Sequence, residues 1–229
     1  MKAARNKKIK VPALTVGGFC NPLDAIHTAA YRLDFSYATT IALFEQGTLS
    51  IDMRTFKHVV SLDLQIMPAT SAQSAQQTRK YVLDQLKEVL TLRELHLWFY
   101  GPQQRYTRTA QAQAFDESIY QDLHRSYPPN LEVLTFAAHT KASGGVAKGC
   151  VRLWRAFTHR IITLDTLDEL ATTITERLPK LKRLELPHIP RDEWHAARAR
   201  VLTHPKIEKW LEGLSSDNTG REVVLKAYD

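Results

Sequence analysis

This sequence predicts an α/β fold organised on a curved parallel sheet with helices on its outer side, and three observations lead there. A frame of the form apolar-x-x-apolar-x-apolar recurs along the chain and is clearest in Leu181-x-x-Leu184-x-Leu186. Helix-compatible segments separate successive frames, and strands joined through helical crossovers lie parallel. The chain has 229 residues, 44% hydrophobic and 24% charged, which is enough to bury one continuous core without a linker.

Taken in order, the frames are Val11-x-x-Leu14-x-Val16, Ala30-x-x-Leu33-x-Phe35, Val59-x-x-Leu62-x-Leu64, Leu92-x-x-Leu95-x-Leu97, Leu131-x-x-Leu134-x-Phe136, His159-x-x-Ile162-x-Leu164 and Leu181-x-x-Leu184-x-Leu186. In each, alternation turns the last two apolar residues to one side of a short strand. The spacing is that of leucine-rich repeats, although the interval between central residues varies from 19 (Leu14 to Leu33) to 39 (Leu95 to Leu134). The expected object is thus an irregular, leucine-rich-repeat-like solenoid. A non-repeat α/β domain also alternates strands with helices and stands as the alternative.

Helices are expected over Asn21 to Ala29, Thr39 to Gln46, Ser74 to Leu90, Ala110 to Leu123 and Leu167 to Leu178. The clearest periodicity is in Tyr81, Val82, Leu83, Leu86, Val89 and Leu90, and Asp165 or Thr166 is placed to cap the helix after the sixth frame. Two closing helices, Asp192 to Leu202 and Lys206 to Leu214, form a C-terminal cap. The organisation predicted is a flexible basic tail over residues 1–10, then one domain over 11–229.

That tail carries Lys2, Arg5, Lys7, Lys8 and Lys10, with no acid before Asp24. A transit peptide is the other reading, disfavoured because Pro12 and Gly17-Gly18 break a targeting helix and the Arg and Ser enrichment of such peptides is missing. No apolar run approaches the ~20 residues of a membrane helix. Cys20 and Cys150 stand far apart, giving neither a disulfide framework nor a zinc knuckle, and the compartment expected is the cytoplasm or nucleus.

The formal charge of +7 raises the question of nucleic acid. Besides the tail, positive charge gathers at Arg152, Arg155 and Arg160 beside Trp154 and Phe157, the segment through which nucleic acid would be held. A later group, Arg191 to Lys209, is interrupted by acids and reads as a solvated helix face.

Catalytic chemistry finds no support. In Ser143-Gly-Gly-Val-Ala-Lys-Gly-Cys150 the lysine precedes the last glycine and no hydroxyl follows, so the order needed to hold phosphates and magnesium is absent. None of the nine histidines forms a metal-binding helical pair, and no motif surrounds Cys150 to make it a nucleophile. No enzyme activity, cofactor or metal is predicted.

What remains is the outward side of the strands. If the frame leucines point inward, the residues between them point out. This places Asp34, Asp63, His96, Thr135, Thr163 and Glu185 in one outer row, flanked by Glu94, Trp98 and Arg183. Acids around one aromatic suit a basic or mixed protein partner better than phosphate, with Trp98 and His96 at the centre.

On the strength of Leu92-Arg-Glu-Leu-His-Leu97, Leu131-Glu-Val-Leu-Thr-Phe136 and Leu181-Lys-Arg-Leu-Glu-Leu-Pro-His-Ile189, the chain resembles the repeat region of fungal F-box-type proteins. The resemblance implies a surface for recognising a client, as in ubiquitin-ligase adaptors. Residues 1 to 20 contain no F-box helices, so adaptor activity itself does not carry over. The expectation is a non-enzymatic protein-interaction module; a nucleic-acid or ribonucleoprotein component is the alternative.

Overall fold

Leu14, Leu62, Leu95, Leu134 and Leu184, the central residues of five frames, all lie in strands of one parallel sheet. The computed structural model describes residues 9–16, 33–43, 54, 56–66, 83–99, 123–138, 164–186, 189–213 and 219–228. Its strands are β1 (Ile9–Lys10), β2 (Ala13–Val16), β3 (Leu33–Asp34), β4 (Thr40–Leu43), β5 (Ser61–Ile66), β6 (Glu94–Phe99), β7 (Val133–Ala138), β8 (Arg183–Glu185), β9 (Ile189–Pro190), β10 (Glu222–Val224) and β11 (Ala227–Tyr228). Helices with described bounds are α1 (Asp84–Leu86), α2 (Leu164–Glu176), α3 (Arg191–Leu202) and α4 (Pro205–Glu212), with a 3-10 turn at Phe35–Tyr37, and residues 123–125 are also helical.

The main sheet has seven strands in the order β10-β8-β7-β6-β5-β4-β2, which is chain order read backwards. One apolar row crosses it in strict register: Leu14, Ile41, Leu62, Leu95, Leu134, Leu184 and Val223 stand opposite one another in turn. The five inner members are fully buried, whereas Leu14 and Val223, on the edge strands, are partly buried. Because side chains alternate with period two, a slip of one residue would turn the whole row to the opposite face.

A repeated backbone arrangement holds this register. The Thr39 carbonyl accepts from the N–H groups of Val60 and Ser61, that of Val60 from Arg93 and Glu94, that of Arg93 from Glu132 and Val133, and that of Glu132 from Lys182 and Arg183. Ahead of three strands comes the same turn, in which Leu92, Leu131 and Leu181 donate to the carbonyls of Val89, Pro128 and Leu178. Val89, Pro128 and Leu178 are themselves buried, so the structural unit begins one apolar position earlier than the frame alone suggests.

Helices close the apolar side. Leu167, Leu170, Ala171 and Ile174 recur at helical spacing along α2 and join Leu134, Phe136 and Leu184 of the sheet in one core. Ile207 and Trp210 of α4 and Val201 of α3 extend that core toward the C-terminal end. Pro205, in the first turn of α4, suits a position whose N–H has no partner in the helix.

The structure corrects several expectations. The second frame does not enter the main sheet: β3 pairs with β1 in a separate two-stranded sheet. It ends at Asp34 because that carboxylate accepts hydrogen bonds from the Ser36 N–H at 3.1 Å and the Ser36 hydroxyl at 2.6 Å, turning the chain into the 3-10 segment. The strand between β2 and β5 is instead β4, inside the stretch read as a helix from Thr39 to Gln46. A short apolar run such as Ile41-Ala-Leu43 does not distinguish the two, and burial of both Ile41 and Ala42 gives the strand.

The sixth frame supplies no strand between its neighbours, since β7 pairs directly with β8. Leu164 begins α2, ahead of the Asp165 and Thr166 expected as caps, because it lies one turn before Leu167 and continues the helical spacing. The closing helices lie over Arg191–Leu202 and Pro205–Glu212, near the expected bounds, but β10 follows them and completes the sheet. Ile9–Lys10, the last residues of the expected tail, form β1.

Candidate functional site

With one side of the sheet closed by the core, its other side carries polar residues at matching register. One row runs Thr15, Ala42, Asp63, His96, Thr135, Glu185, Val224, and the row before it Ala13, Thr40, Ser61, Glu94, Val133, Arg183, Glu222. In the middle of the sheet, Ser61, Asp63, Glu94, His96 and Val133 are half-buried, and Thr135 is buried.

The structure therefore brings together six of the predicted site residues on one face: Asp63, Glu94, His96, Thr135, Arg183 and Glu185. Trp98 occupies the next position of the same alternation in β6, its backbone opposite Gln65 and Ala137. Asp34 is not among them; Ala42 of β4 stands where it was expected, because β3 is outside this sheet. Thr163 lies outside the described residues, and the strand it was assigned to has no place between β7 and β8. Arg152, Arg155 and Arg160 also lie outside the described residues.

Electrostatically the face has two parts. Around β8 and β10 the charges neutralise one another: Glu185 takes Lys226 Nζ at 2.6 Å and Arg183 Nη2 at 3.2 Å, while Arg183 Nη1 reaches Glu222 at 3.1 Å. Burial by itself would raise the Glu185 carboxyl, but the hydrogen bonds and charges of Lys226 and Arg183 outweigh it and hold the group below the usual carboxylate range. Near the centre, among the described residues, stand the acids Glu94 and Asp63. His96 Nε2 lies 3.9 Å from Glu94 Oε2, and Asp63 and Thr135 stand directly opposite His96 on either side.

Sequence reasoning missed Glu222 and Lys226. Glu222 opens β10 and Lys226 lies between β10 and β11, where Val223-Val224 alone is too little for the frame to reveal a strand. Among the described residues no three His, Cys, Asp or Glu side chains are grouped to hold a metal ion.

No family model matches this chain, and neither the curated proteins nor the solved structures contain a match to it. The site is therefore read from its own chemistry. Among the described residues no helix is long and apolar enough to cross a membrane.

Proposed function

We propose that this protein is a non-enzymatic interaction module of leucine-rich-repeat type, whose polar strand face receives a basic segment of a protein partner. One observation carries the reading: the apolar row from Leu14 to Val223 holds seven strands in a single register, which leaves an opposite face with acidic residues at its centre. A face held by its own backbone loses little freedom on binding, and a partner bearing Lys or Arg complements Glu94 and Asp63. In this reading the curved sheet of a solenoid offers Trp98 and His96 as the centre of the contact, and Glu185, Arg183, Glu222 and Lys226 as a neutral margin.

Client recognition of the ubiquitin-ligase-adaptor kind is the use that the resemblance implies. Affinity capture with the intact chain, followed by mass spectrometry, identifies the partner. The Trp98→Ala and Glu94→Lys variants then weaken its capture by about 2 kcal/mol or more while the melting temperature stays near that of the parent. Capture unaffected by both variants would refute the strand face as the site.

A further inference from the structure

The end of the sheet at which the strands begin has a chemistry opposite to that of the face. In the main sheet, every strand entry from β6 to β10 brings at least one cation: Arg93 before β6, Arg125 before β7, Arg177, Lys180 and Lys182 before β8, and Arg221 before β10. Side-chain contacts tie these residues into one strip. Glu132 bridges Arg93 at 3.0 Å and Lys182 at 2.9 Å, Lys180 donates to Asn130 at 2.8 Å, Arg177 donates to the Arg125 carbonyl at 2.9 Å, and Arg221 to the Pro179 carbonyl at 3.3 Å.

Several of these bonds end on neutral acceptors. Arg177, Lys180 and Arg221 donate to carbonyl or amide oxygens, which position the cation without cancelling its charge. Glu132, shared by two cations, and the nearby Glu88 and Glu176 leave the strip with an excess of positive charge. Arg125 and Arg177 are exposed, and the Arg177 guanidinium, held at one edge by the Arg125 carbonyl, keeps its remaining N–H groups in a fork that matches a phosphate.

From this we infer that the strand-entry strip binds the phosphodiester backbone of a nucleic acid. Arg93, Lys182 and Arg221 each stand immediately before their strand, the position that Glu132 holds before β7, and Arg125, Arg177 and Lys180 come from the turns ahead of β7 and β8, so the strip offers several cations to a chain of phosphates. Its residues are other than those of the strand face and other than Arg152, Arg155 and Arg160, and it does not depend on the protein-partner reading.

The test is fluorescence anisotropy of a labelled oligouridine of about 20 nucleotides with the full chain across a salt series, single-strand affinity falling with a log–log slope of about 0.7 per phosphate contact. Replacing Arg125, Arg177 and Lys180 by Gln should weaken binding at least tenfold at low salt and lower the slope by about 2. The double variant Arg125→Gln with Lys180→Gln, which removes no donor from a backbone carbonyl, should lower it by about 1.4 with an unchanged melting curve. Glu94→Gln on the strand face should leave oligouridine binding as it is. No binding at low salt, an unchanged slope in the double variant, or polyglutamate competing as well as oligouridine would overturn the inference; so would binding lost only when Arg152, Arg155 and Arg160 are replaced.

Discussion

The Tyr127 hydroxyl and His124 Nδ1 share one hydrogen bond of 3.3 Å inside the protein, with the two rings meeting edge-on at 5.8 Å. Both side chains are buried, and Tyr127 belongs to the core under the sheet. Burial lowers the His124 imidazole from the ordinary 6.5 to about 4 and raises the Tyr127 phenol, so both are neutral in the folded protein near neutral pH.

A pH dependence of stability follows from His124. Between 6.5 and about 4 the unfolded chain binds a proton that the folded one refuses. This contribution is complete above 6.5 and is lost as pH falls toward 4, amounting to about 3 kcal/mol over the window. Urea denaturation at intervals through that range should show the loss, and a His124→Gln variant should be flatter by most of it. Equal pH slopes in the two proteins would contradict the assignment.

Each inner member of the apolar row should be costly to truncate. Leu95 and Leu134 are fully buried between strands on both sides, so Leu95→Ala or Leu134→Ala should destabilise by about 2–5 kcal/mol in chemical denaturation. Leu14, at the edge and only partly buried, should cost less under the same substitution.

Asp34 acts through its turn. With its carboxylate replaced by a methyl group, the Ser36 N–H and hydroxyl lose their acceptor, and Asp34→Ala should destabilise by about 1 kcal/mol. Asp34→Asn, which keeps an acceptor oxygen, should recover most of this. If binding of the captured partner falls while stability holds, Asp34 belongs to the contact and its exclusion from the face is wrong.

Arg221 fastens β10 to the rest of the chain. Its Nη1 donates to the Trp210 carbonyl at 3.2 Å, Nη2 to the Pro179 carbonyl at 3.3 Å, and its guanidinium lies 5.5 Å from the Trp210 ring. Arg221→Met should cost about 1–3 kcal/mol and raise hydrogen exchange first at Glu222 to Val224. A Cβ at Gly213 would stand 2.9 Å from that same Nη1, so Gly213→Ala should displace the arginine and reproduce part of the effect.

How far the sequence could be read differs from element to element for identifiable reasons. Where an apolar frame was followed by a polar residue at each intervening position, as in Leu92 to Leu97 or Leu181 to Leu186, the strand, its inward side and the outward placement of His96 and Glu185 were all legible, because period-two alternation is a local property. The helix of Leu167 to Leu178 was legible for the same reason at its own period.

Ala30 to Phe35 and His159 to Leu164 have the same frame, and neither supplies a strand of the main sheet. In the first, an aspartate-serine hydrogen bond ends the strand at Asp34; in the second, Leu164 continues the spacing of the helix after it. Thr40–Leu43 became a strand because the vacancy between β2 and β5 could be filled by backbone pairing on both sides, and β10 because Arg221 and the β8 edge hold three residues too short to announce themselves. The sequence by itself thus determined the period of each segment and the chemistry it could present. Only the tertiary structure decided which segments became neighbours, since pairing depends on partners distant in the chain, and with that it decided which charges meet on the face and which gather at the strand entries.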